Sequence, residues 1–291
     1  MSKKTLIYTE GKSDKYFLSW CLDVWEYQAH FDIFPLGGKD KLFSDEFYEK
    51  IEDILENNDP RYKQVCVIFD ADIKKENQES DAGFDNKLKH IREKSKEKSK
   101  EKSKEKSKEK SKEKSKEKSK EKSKEKSKEK SKEKSKEKSK EKSKEKSKEK
   151  SKEKSKEKKS DFPKEPIFLF PNNQDDGDLE TLVLKIAKHD EFLKCFEKYL
   201  ECIKSKEHYE PIKKIRKSKW YAYLEALGLE NLTKINIFDN KGKIKEQYKE
   251  EYERLKEVVD FNSQSLIPLK IFLEQFAKNK QKTNSKIQGL I

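Results

Sequence analysis

Two short stretches carry carboxylates where phosphoryl chemistry can use them. Thr5-Leu-Ile-Tyr-Thr-Glu10-Gly-Lys-Ser-Asp14 is an apolar run that ends on a carboxylate and a glycine. Gln64-Val-Cys-Val-Ile-Phe69 is a second apolar run, and it ends in Asp70-Ala-Asp72. If the two runs are neighbouring strands, Glu10, Asp14, Asp70 and Asp72 meet at one sheet edge. Such a group is costly unless a cation neutralises it, and all-oxygen donors suit Mg²⁺, with Mn²⁺ as a substitute. A cation held there can polarise a phosphoryl oxygen, bind a leaving oxygen or lower the pKa of an attacking water.

The elements that must position these residues are legible in order. Leu6 to Thr9 reads as a strand, Gly11 fits a tight turn, and Ser13 or Asp14 is placed to cap a helix running to about Glu26. Phe31 to Leu36 is a second strand, closed by Gly37-Gly38-Lys39-Asp40, and Leu42 to Glu56 follows with helical spacing. Val65 to Phe69, apolar almost throughout, suits a central parallel strand covered on both faces. A third helix starts over Asp81 to Ile91, Ile167 to Phe170 is a fourth strand, and Leu179 to Ile186 is helical. This alternation predicts an α/β fold with a Rossmann-like parallel sheet flanked by helices. Four further helices, Phe192 to Cys202, Trp220 to Leu227, Ile244 to Val259 and Leu266 to Phe276, predict a C-terminal helical elaboration. Asn262 to Ser265 reads as the cap region of the last of them.

The third crossover holds a long insertion. Glu93 to Lys159 repeats Glu-Lys-Ser-Lys with no apolar residue, 67 positions with 17 Glu and 34 Lys. Its net +17, against +14 for the whole chain, leaves −3 on the other 224 residues. The basic balance therefore belongs to the insert, and net charge alone does not argue for nucleic acid. The period places like charges at i,i+4 and opposite charges at i,i+3, so the segment is a fluctuating solvated chain or a marginal single helix. Without an apolar seam it is no coiled coil. Two readings stay open: a neutral expansion of a permissive loop, or a weak, salt-sensitive tether for nucleic acid. The domain reading is thus 1–92 with 160–190 as the α/β part, 93–159 as the insert, 191–277 as the helical region and 278–291 as a polar tail. Four cysteines without metal-ligand spacing, no signal segment and no long apolar run predict a reduced, cytoplasmic chain with no membrane partner.

At Glu10 and Asp70-Ala-Asp72 the chain resembles the toprim domain, and Leu6-Ile-Tyr-Thr-Glu10-Gly-Lys-Ser-Asp14 is similar to the opening of the OLD-like nuclease branch. Phe170 to Glu180, Lys217 to Tyr223 and the Asp260-Phe to Phe272-Leu segment resemble a stand-alone bacterial toprim-like family of unknown function. The resemblance implies a toprim-type fold and a Mg²⁺-dependent nuclease acting on DNA or RNA, in phage defence or DNA processing. It implies Glu10, Asp70 and Asp72 as catalytic residues and Glu10, Asp14, Asp70 and Asp72 as metal ligands. Asp176, Asp178 and Glu180 are the candidates for a second metal, although Glu180 also reads as an ordinary first-turn helix residue.

Lys12 and Lys39 are candidate phosphate contacts or simply solvated lysines. Lys217 and Lys219 belong, with Lys213, Lys214 and Arg216, to an aromatic-basic patch around Trp220-Tyr-Ala-Tyr223, which either stacks bases or is an amphipathic helix with its aromatics in the core. The four histidines fall in different elements and predict no histidine metal site. No phosphate-binding Gly-x-x-x-x-Gly-Lys-Ser/Thr motif is present. Two other functions fit the same residues: a non-catalytic metal- or nucleic-acid-binding regulatory module, and a hydrolase of a nucleotide or small phosphorylated molecule. A protein partner is compatible with each.

Overall fold

Four apolar runs become the parallel strands β1 (Lys4–Thr9), β2 (Phe31–Pro35), β3 (Tyr62–Asp70) and β4 (Ile167–Phe170), in the order β2-β1-β3-β4. The structure, a computed structural model, describes residues 3–56, 59, 61–74, 81–94, 96–97, 166–206, 208, 214–239 and 242–277. Beyond residue 97 the repeat lies outside the described residues, as do the tail 278–291 and the side chain of Lys39. Two compact units divide the chain, one drawn from Met1–Arg92 and Glu165–Ile291, the other Glu93–Lys164. The first is a Rossmann-like α/β unit with a C-terminal helical region.

Strand alternation explains how both faces of the sheet are filled. Ile7, Cys66, Ile68, Phe168 and Phe170 point into one large core with Phe17, Trp20 and Cys21 of α1 (Lys12–Val24). The intervening residues Leu6, Tyr8, Val65, Val67 and Phe69 are buried on the other face. There α2 (Asp45–Glu56) packs on β3, and the Phe47 ring meets Tyr8 edge-on at 4.9 Å. α3 covers residues 84–94, with Ile91 buried. β1 and β3 are central, which is why β3 is buried at every position from Val65 to Phe69.

The C-terminal helices are α4 (Leu179–Ile186), α5 (Asp190–Lys204), α6 (Ile215–Ala226), α7 (Lys249–Val258) and α8 (Ile267–Ala277). They contribute to the same core as α1 rather than building a separate one. Phe272 of α8 lies 5.3 Å from Phe168, and the Tyr252 hydroxyl of α7 donates to Asp23 of α1 at 2.8 Å. Among the described residues no helix is long and apolar enough to cross a membrane.

Several boundaries differ from the sequence reading. Gly11, not Ser13 or Asp14, takes the N-cap of α1; Asp14 reaches back and accepts the Gly11 N–H at 2.8 Å. Lys39–Phe43 is a 3₁₀ turn, and α2 starts only after Ser44, whose hydroxyl accepts the Phe47 N–H. α6 begins at Ile215, five residues before Trp220. Ile244 is not helical: it bridges Phe238 in an antiparallel pair, closed by the Asp239 N–H on the Lys243 carbonyl at 2.8 Å. The helix is shortened to Lys249–Val258 as a result.

From β4 the chain reaches α4 through a loop whose last glycine is irreplaceable on steric grounds. Gly177 has φ +149°, and a Cβ there would sit 3.0 Å from Pro171 Cδ and from Thr181 Oγ1. Its N–H also donates to the Asp72 carbonyl at 2.9 Å. Gly177→Ala should therefore cost about 1–3 kcal/mol of stability, read as a lowered thermal midpoint; an unchanged midpoint would show that the loop relaxes freely.

Candidate functional site

The strand order places a switch point between β1 and β3. From β1 the chain crosses to β2 on one side, then to β3 on the other, so the connections diverge and leave a crevice beyond the carboxyl ends. Glu10 follows β1, and Asp70 closes β3, with Thr9 opposite Ile68 in the ladder. The adjacency that the acidic cluster required is present.

A cavity of about 360 Å³ opens there, with an acidic floor and a basic rim. The floor comprises Glu10, Asp14, Asp70, Asp72, Asp178 and Glu180. The rim is Lys214, Arg216 and Lys217, all from the start of α6. Three helices begin at the wall, α1 at Gly11, α4 at Asp178 and α6 at Lys214, and the positive ends of their dipoles favour negative charge.

Each acid has a distinct environment. Asp14 is 7 % exposed, and its pKa is pushed up to about 7, by burial first and then by Glu10 and Glu180, against the Gly11 N–H and Lys217. Asp70 is raised well above the usual carboxylate range by burial first and then by Asp14, Glu180 and Glu10, although its Oδ1 accepts the Leu179 N–H at 2.8 Å. Glu180 is raised by burial and by Asp178, and Lys217 Nζ stands 3.9 Å from its Oε1. These three acids therefore resist being ionised together.

Asp178 and Asp72 are already compensated. Burial would raise Asp178, but Arg216 and Thr181 outweigh it and its pKa is lowered. Arg216 grips both carboxylate oxygens, its Nε donating at 3.0 and 3.1 Å, while Asp178 also caps α4 through the Thr181 N–H at 2.8 Å. Asp72 sits at φ +62°, a conformation that Asp tolerates better than most residues, and its Oδ2 accepts from Lys87 Nζ at 2.7 Å. Lys87 is almost fully buried and also donates to Asp81 at 3.1 Å.

The remaining candidates separate. Asp176 faces the start of α3, where its Oδ1 accepts the Phe84 N–H at 2.6 Å, so it is not brought to the floor. Lys12 is exposed in the first turn of α1, and Lys219 is paired with Glu197 of α5. Trp220 and Tyr223 are buried in the core, while the Tyr221 hydroxyl lies 3.3 Å from Ser13 Oγ at the cavity wall. Sequence reasoning missed Lys87, and it noted Lys214 and Arg216 only as part of the aromatic-basic patch. The signal for the rim was the Lys-Ile-Arg-Lys run at a helix start; for Lys87 there was none.

The donor set, all carboxylate and sharing too much negative charge, fits a hard divalent cation in chemistry. Among the described residues, no group of three or more His, Cys, Asp or Glu side chains is arranged to hold a metal ion. A cation would have to draw the floor together. Comparison with known proteins finds no matching family model, no matching curated protein and no matching solved structure.

Proposed function

We propose that the chain is a metal-dependent phosphodiester hydrolase acting on DNA or RNA, built on a toprim-type variant of the Rossmann-like fold. The observation that carries this reading is one cavity with a carboxylate floor facing a cationic rim at the sheet's switch point. A phosphodiester needs both: cations for its oxygens, and acids that gather a metal and manage protons.

Glu10, Asp14 and Asp70 would hold Mg²⁺, with Glu180 and Asp72 beside them, and the bound ion would supply Lewis-acid polarisation of a phosphoryl oxygen. Asp176 and Asp178 are engaged by backbone and Arg216 and make weaker candidates. Lys214 and Lys217, which line the cavity, would bind the phosphate, and Arg216 braces the α4 cap through Asp178.

The test is cleavage of linear and circular, single- and double-stranded DNA and RNA with Mg²⁺ or Mn²⁺. Intact protein is compared with Glu10→Ala, Asp70→Ala and a deletion of residues 93–159. Cleavage should be metal-dependent and fall by at least about 100-fold in both point variants, which should stay folded and still bind nucleic acid. The deletion variant should keep its turnover and lose affinity at low salt if the repeat is a tether. No turnover on any substrate, with Mg²⁺ still bound, would make the chain a binding module.

A further inference from the structure

α5 carries a buried apolar face and a second, exposed apolar stripe that touches the core only where the Phe192 ring meets Tyr223 edge-on at 6.4 Å. Leu193 and Leu200 are buried, but Phe192 and Tyr199 are 40 % and 53 % exposed. Cys195 lies between them and Cys202 one turn beyond, both exposed. Positions 192, 195, 199 and 202 step by three, four and three, which sets them in a single stripe. Glu191 and Lys198 border its outer side, and among the described residues neither forms an ion pair. Their neighbours do: Lys194 with Asp190, and Glu197 with Lys219.

We propose that this stripe seats the same stripe of a second copy of the chain, antiparallel about a two-fold axis at Cys195. The pattern around Cys195 is what selects that occupant. Phe192 and Lys198 lie three positions before and after it; Glu191 and Tyr199 lie four before and after. Antiparallel pairing therefore sets Phe192 near the partner's Tyr199 and Glu191 near the partner's Lys198, each contact occurring twice, with the two Cys195 side chains on the axis. Parallel pairing about a two-fold axis would put the two copies of this flank on opposite sides of the seam and leave Glu191 and Lys198 without each other. The patch is small beside the roughly 800 Å² that each partner buries in a stable complex, so the dimer is weak and forms at high concentration. It does not depend on the hydrolase reading.

Sedimentation of the full chain across a concentration series should show a monomer–dimer equilibrium. Diamide oxidation should trap a disulfide dimer in the wild type and in Cys202→Ser, and not in Cys195→Ser. Glu191→Lys or Lys198→Glu alone should weaken association at least about fivefold through like-charge contacts, and the double reversal should restore it. These are surface changes, and unchanged thermal midpoints confirm intact folding. A monomer at every concentration, crosslinking through Cys202 alone, or a double reversal no better than the singles would overturn the proposal. So would a monomer whose Cys195 resists thiol reagents, because the chain itself would then cover the stripe.

Discussion

Asp14→Asn should be more stable than the wild type at pH 8 and equally stable at pH 4, with no divalent ion present. The wild-type carboxyl is pushed up to about 7 by burial and by Glu10 and Glu180, from the ordinary 3.8. In the unfolded chain it ionises near that ordinary value, so between about pH 4 and 7 the native state holds a proton that the unfolded state lacks. Stability from this group falls as pH rises through that window and is flat above it. Asn is neutral throughout and still accepts the Gly11 N–H, so it removes the penalty and keeps the bond. The gain at pH 8 should be on the order of 2–4 kcal/mol, seen as a raised thermal midpoint in EDTA.

Adding Mg²⁺ sharpens this test. A cation that binds the native floor stabilises it in proportion to occupancy, so the wild-type midpoint should rise and the gap to Asp14→Asn should narrow. The variant should gain less from Mg²⁺ and cleave poorly. Equal midpoints at pH 8 in EDTA would mean that Asp14 ionises normally and that the floor is not electrostatically loaded. Stabilisation on losing an ionisable charge is the signature of a site kept for chemistry rather than for folding.

The parts legible in the sequence are those where local signals and burial agree. Ile167 to Phe170 is bracketed by Pro166 and Pro171, and Leu179 to Ile186 follows a capping Asp178, so both are found to the residue. Glu10 and Asp70-Ala-Asp72 sit where strand ends put them. What local pattern cannot carry is where a side chain turns within a loop. Asp176, Asp178 and Glu180 alternate as if on one face, yet the turn sends Asp176 to the start of α3, while Asp178 lines the cavity already engaged as the cap of α4 and Glu180 lines it beside Lys217. Lys87 lies in a helix whose apolar positions are Phe84, Leu88 and Ile91, so it reads as a solvated lysine. Its partner Asp72 lies on another element, and only packing brings them together. Arg216 is similar, because its pairing with Asp178 spans two helices.

Lys87→Met should destabilise the protein by about 2–3 kcal/mol at pH 7 to 8, the reverse of Asp14→Asn. Burial favours the neutral amine, but the hydrogen bonds and charges of Asp72 and Asp81 outweigh it and raise the Lys87 pKa. The contribution is therefore fully present below the ordinary lysine value and lost only as pH rises past the raised one. Met fills the methylene space but leaves two carboxylates without this cation. Their side chains are 39 % and 26 % exposed, so water recovers part of the loss, which stays below that of a fully enclosed pair. Asp72 also loses the cation that compensates its carboxylate at the floor, while its carbonyl stays bound to the Gly177 N–H at 2.9 Å. A freed Asp72 adds charge to a floor that already resists ionisation. Cleavage should fall with stability, and Asp72→Asn placed on Lys87→Met should recover part of the midpoint. If the double variant is no more stable than Lys87→Met alone, the two side chains are not coupled, and Asp72 is held by its backbone.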